Sequence, residues 1–159
     1  MPAARKLVVP VLTVAALLGS ASLFTARGVA VAADAEEGIQ WRTDVEAATA
    51  EAARTGKPLF LDFTATWCPP CKQMERDTWT DPRVRAVLAE RFTPVKVDVD
   101  DDPKTARTHE VASIPTLLVL VDGQPTGRVS GYHGPDQMLA FLEEHAPDAA
   151  EADAAVPAG

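Results

Sequence analysis

The stretch LDFTATWCPPCKQME, Leu61 to Glu75, carries the chain's two cysteines, Cys68 and Cys71, and their chemistry decides how the rest is read. A structural staple stabilises by closing a loop in the unfolded chain, and two cysteines with two residues between them close almost none. A closed zinc site needs about four ligands, and His109, His133 and His145 stand at no ligand spacing to the pair. An opportunistic two-thiolate metal site stays open as an alternative. What remains is a dithiol/disulfide switch at the start of a helix that follows a buried strand. There the helix-end N–H groups and dipole stabilise a thiolate on the first cysteine.

The flanking sequence supplies that setting. LFLDF, just upstream, is apolar on both faces except for Asp62, the pattern of a fully buried strand. Before it, Thr43-Asp44-Val45-Glu46 has the spacing of a capping box, and the Ala-rich run that follows stops at Gly56, which predicts a first helix over 44–55. After the cysteine helix, Asp81-Pro82 and Asp102-Pro103 each place an N-cap acid before a proline suited to the first helical position. The second of these starts a short helix through about Glu110. FTPVKVDVD between them reads as a strand, TLLVLVD and TGRVSG around Asp122-Gly123 as a hairpin, and PDQMLAFLEEH as a closing amphipathic helix. The order helix, strand, two helices, strand, helix, strand, strand, helix predicts an α/β fold with a central mixed sheet.

The folded unit is expected over 39–145 of the 159 residues, with no internal repeat. Upstream, Arg5-Lys6 precede an uncharged run over 7–26, and small residues follow at Ala30, Ala32 and Ala33. Residues 1–33 therefore read as an export signal or, uncleaved, as a membrane anchor, since twenty uncharged residues also reach across a bilayer. Both readings place the remainder outside the cytoplasm. No cysteine near the small residues supports a lipid-modified N-terminus. Residues 34–38 form an acidic linker, and 146–159 lack hydrophobic periodicity and read as a disordered tail. The net charge is −8, and with Arg5, Lys6 and Arg27 set aside the remaining 12 Lys and Arg face 23 Asp and Glu. Such a surface repels nucleic acid and anionic headgroups.

Several separate features carry a resemblance to a known family. They are Trp67-Cys68-Pro69-Pro70-Cys71-Lys72 after LFLDF, Asp62 six residues before Cys68, the strand PVKVDVD, Ser113-Ile114-Pro115-Thr116 leading into the hairpin, and Gly131 after the last strand. On these residues the chain resembles the thioredoxin family over about residues 39–144. The continuation KQMERDTWTDPRVRAVL is most similar to the C-terminal thioredoxin-like domain of the thiol:disulfide interchange protein DsbD and exported single-domain proteins akin to it. The resemblance implies a thioredoxin-like fold with helices on both faces of the sheet. It also implies a redox-active Cys68–Cys71 disulfide with no other cofactor and no metal, and client proteins with disulfides, acted on by a monomer.

It implies roles as well. Cys68, exposed at the helix start, is expected to be the nucleophile and Cys71, one turn deeper, the resolving thiol. Ile114-Pro115 matches the family's cis-proline site, where backbone groups meet a bound peptide. Trp67, Pro69 and Pro70 belong to the same docking face. Asp62, if buried, can hold or pass a proton for Cys71, with Lys96 the matching cation beside it. Trp41, Trp79 and the histidines read as packing or surface residues.

Prolines at 69 and 70 remove two backbone donors that could stabilise a Cys68 thiolate, which points toward the reducing end of the family's range. The expected activity is therefore reduction of protein disulfides outside the cytoplasm. With no G-x-G-x-x-G motif and no multi-span conduit in the sequence, electrons are expected from a separate thiol-disulfide donor in the membrane. Oxidase or isomerase action, a copper-handling module and a noncatalytic peptide-binding domain are the alternatives.

Overall fold

The computed structural model describes residues 38–146. The leader at 1–33, the linker but for Gly38, and the tail but for Ala146 lie outside the described residues.

Helix α1 spans Val45–Thr55 and ends on Gly56, which takes the left-handed conformation (φ 69°) that a residue without Cβ adopts cheaply. Its N-terminus corrects the capping-box reading. Asp44, not Thr43, is the N-cap, its carboxylate accepting the Ala47 N–H at 2.9 Å. A carboxylate at that position also meets the positive end of the helix dipole, an advantage a threonine hydroxyl lacks.

Strand β1, Leu59–Thr64, leads into α2, Pro69–Asp77, and α3, Pro82–Arg91. Then come β2, Thr93–Asp98, the short α4, Pro103–Thr108, the hairpin strands β3, Thr116–Val121, and β4, Gln124–Ser130, and finally α5, Pro135–His145. Both Asp-Pro signals work as read, Asp81 capping α3 and Asp102 capping α4 through their side chains. Asp122 and Gly123 both have positive φ, the twist a two-residue hairpin turn needs.

The strands lie in the order β2-β1-β3-β4, with β1 and β2 parallel and the other pairs antiparallel. A further parallel bridge from Arg42 to Val95 covers part of the outer edge of β2. Alternation along β1 sends neighbours into two cores. Phe60 joins Met74, Val84, Leu88, Leu117, Met138 and Leu142, so α2, α3 and α5 cover one face. Leu61 and Phe63 join Ala48, Val95, Ala106 and Leu118, so α1 and α4 cover the other. Each fully buried Val, Leu, Phe or Met among them contributes about 1.5–3 kcal/mol by leaving water. Asp62 has the parity of Phe60 and so faces the core that α2 covers.

Candidate active site

Cys68 is the N-cap of α2 and is joined to Cys71 by a disulfide, with Cα atoms 5.3 Å apart. The turn before it is held by the Cys68 N–H on the Ala65 carbonyl. Pro69 and Pro70 occupy the first helical positions, so the first free backbone donor is that of Cys71, which approaches Cys68 Sγ at 3.3 Å. Ala65, Val99 and Ile114 close over the two sulfurs. The expectation that Cys68 is the exposed member needs correction. In the disulfide form Cys68 is 2% exposed and Cys71 4%, because this apolar collar covers both.

The Ile114–Pro115 peptide is cis, and the Pro115 carbonyl accepts the Gly131 N–H at 2.8 Å. Trp67 stands beside the pair with 61% of its surface exposed, its indole N–H donating to Asp100 Oδ2 at 2.7 Å. Trp67 and Pro69, exposed on either side of Cys68, and half-buried Ile114, packed against the pair, thus form one apolar rim, with Pro115 buried next to Ile114 and Pro70 half-buried.

Beneath α2, Asp62 is 3% exposed. Burial raises its carboxyl to about 7. Lys96 opposes that shift, Glu75 reinforces it, and the Trp79 indole N–H opposes it weakly. The register explains the company: Lys96 pairs with Asp62 across β1 and β2, and Leu117 pairs with it across β1 and β3. The Lys96 ammonium, however, is paired with the Glu75 carboxylate and lies 4.8 Å from the centre of the Trp41 ring. A groove of about 340 Å³ is lined by Cys71, Lys72, Glu75, Lys96, Asp98 and Asp101 among others.

The structure gathers Cys68, Cys71 and Ile114 in one apolar cluster and sets Asp62 opposite Lys96 across β1 and β2, and four further residues touch these groups or Trp67. Asp100 and Glu75 escaped sequence reasoning, while Trp41 and Trp79 pack in the core as read and in addition reach Lys96 and Asp62. Glu75 alone carried a signal: it lies four residues after Cys71, so it shares that cysteine's side of the helix. Among the described residues no group of three or more His, Cys, Asp or Glu is placed to hold a metal ion, so a metal reading has only the two sulfurs to build on.

The matching family model, described as thioredoxin-like, covers residues 40–121. Thioredoxin of Mycobacterium tuberculosis is 39% identical over 109 residues, 67% of this chain and 88% of that protein. Staphylococcus aureus thioredoxin is 39% identical over 89 residues, 54% of this chain and 80% of its own length. The solution structure of a thioredoxin from Thermus thermophilus superposes with a TM-score of 0.61 at 29% identity, covering 67% of this chain and 86% of that one.

Proposed function

The chain belongs to the thioredoxin-like family and is a thioredoxin-type thiol-disulfide oxidoreductase, and from that premise we propose that it works as a reductase of protein disulfides outside the cytoplasm. In the reduced protein the Cys68 thiolate attacks one sulfur of a client disulfide. A mixed disulfide forms and the client's other sulfur leaves as a thiolate. Cys71 then gives its proton to the Asp62 carboxylate and attacks Cys68 Sγ. The Cys68–Cys71 disulfide closes and the second client thiol is released. Two electrons pass to the client, so a dithiol donor must reduce the pair again before the next turn. The sequence carries no G-x-G-x-x-G motif through which the chain could draw electrons itself, and the location proposed outside the cytoplasm leads us to place the separate donor in the membrane.

The observation that carries the direction is the helix start. Prolines at the first two positions leave the Cys71 N–H as the first backbone donor to Cys68 Sγ. A poorly stabilised thiolate makes the dithiol easy to oxidise, hence a good reductant. Location outside the cytoplasm is supported by Arg5-Lys6, the uncharged run over 7–26 and the small residues at 30–33. The rim of Trp67, Pro69 and Ile114, with Pro115 next to it, is where the client segment docks.

The reduction potential of the pair, measured in glutathione or dithiothreitol buffers, tests the direction. A value below about −220 mV is expected, and one above about −180 mV makes oxidase or isomerase the better account. In the same preparation Cys71→Ser should trap clients on Cys68. Failure to trap any would favour a noncatalytic binding domain.

A further inference from the structure

A lysine placed opposite a buried carboxylate on the next strand would be expected to close an ion pair with it. Lys96 stands in that register with Asp62 and on the same face of the sheet. Yet its ammonium is engaged at two other places, by the Glu75 carboxylate of α2 and by the face of Trp41 from the segment that bridges to β2. Lys96 is 23% exposed and Glu75 46%, and both line the groove that also reaches Cys71, while Asp62 is buried.

We propose that Glu75 and Trp41 are positioning residues that fix the Lys96 ammonium in the groove lining and keep it from closing an ion pair with Asp62. The inference rests on the reading of Asp62 as the group that takes the Cys71 proton. A carboxylate neutralised by an adjacent ammonium has its proton affinity lowered by roughly 1–3 pH units and would be a poor acceptor of a thiol proton. With Lys96 held aside, the carboxyl stays within range of the thiol. The anchors are of different kinds. Glu75 supplies charge, one helical turn beyond Cys71. Trp41 supplies the quadrupole of an aromatic face, which attracts a cation held over it at 4.8 Å.

The groups around Asp62 are few. From β2 comes Lys96, from α2 Glu75, from the segment after α2 the Trp79 indole, and from β3 the uncharged Leu117. One cation and one neighbouring anion therefore dominate the local charge. Their mutual pairing decides how much of the lysine's field the buried carboxyl feels.

The test is a carbon-13 carboxyl NMR titration of Asp62 in the oxidised full chain, in wild type, Glu75→Gln, Lys96→Met and the double variant. Glu75→Gln should lower the Asp62 midpoint by about one pH unit or more, because the released ammonium turns inward. In the Lys96→Met background the same substitution should move it by less than half as much. Equal shifts in both backgrounds would mean that Glu75 acts on Asp62 by its own charge and would overturn the proposal, as would no shift in either. Trp41→Leu should also lower the midpoint while Trp41→Phe, which keeps an aromatic face, should lower it less. No difference between these two would remove Trp41 from the device. Turnover of Asp62→Asn against pH keeps the outcomes apart. If it matches wild type, the reading of Asp62 as proton acceptor fails, whereas the titration speaks only to where Lys96 is held.

Discussion

At the scale of single residues, Asp62 sets the pH behaviour of the protein. Its carboxyl moves from 3.8 to about 7 on folding, chiefly through burial. Between those values the folded protein keeps a proton that the unfolded chain has released. The stability linked to this group is therefore whole below about pH 4, falls as pH rises to about 7, and stays at its lower level beyond. A displacement of that size costs the folded state on the order of 4 kcal/mol once the group must ionise. Asp62→Asn removes the cost, so in urea denaturation the variant should gain on wild type by a few kcal/mol at pH 8.5 and by much less at pH 5. Equal differences at the two pH values would show that the carboxyl is not held near 7. The sequence made Asp62 conspicuous, a lone acid in an apolar strand. It did not reveal the attendants, because Glu75 showed only its helical spacing from Cys71, and Trp41 and Trp79, read as packing or surface residues, sit in irregular segments without periodicity. Their meaning arises only when the sheet sets Lys96 beside Asp62.

At the scale of elements, α2 joins fold to chemistry, since its N-cap is one of the reacting sulfurs. Donors at the second and third helical positions are the ones that reach an N-cap side chain, and proline occupies the second here. Pro70→Ala restores that N–H without altering the cap. A hydrogen bond to a charged group is worth about 1.5–3 kcal/mol. By the relation of about 30 mV to 1.4 kcal/mol the potential of the pair should rise by roughly 30–60 mV. Equilibration of both proteins in the same glutathione buffer measures the difference, and an unchanged or lower potential would mean that the prolines do not limit thiolate stability. Most elements were legible because their ends carry chemistry that acts locally: Gly56 after α1, Asp81-Pro82 and Asp102-Pro103 before α3 and α4, Asp122-Gly123 in the hairpin. The cap of α1 was misread by one residue, since two adjacent residues both had capping side chains and only the three-dimensional path of the chain chooses between them. The covering of Cys68 was also hidden, because Ala65, Val99 and Ile114 come from three separate loops.

At the scale of the whole molecule, the sheet divides the interior into two cores, and the chemistry belongs to one of them. Leu117 and Leu118 are neighbours on β3, both fully buried, and alternation sends them to opposite sides. Leu117 pairs directly with Asp62 across β1 and shares its face, while Leu118 pairs with Leu61 and packs in the core beneath α1 and α4. Truncating either to alanine removes the same atoms and leaves a similar cavity, at a cost of about 2–5 kcal/mol. Stability alone therefore cannot tell the two sites apart. The pH dependence of turnover can. A cavity at Leu117 lies against a buried carboxyl, a polar wall that lets water enter. Hydration relieves the burial that raises Asp62, so the acidic limb of the profile should shift to lower pH in Leu117→Ala. In Leu118→Ala the intervening sheet keeps the cavity away from the carboxyl, and the limb should stay where it is in wild type. Both profiles moving together would mean that the sheet does not isolate the cores, and that the environment of Asp62 depends on the packing of the entire domain.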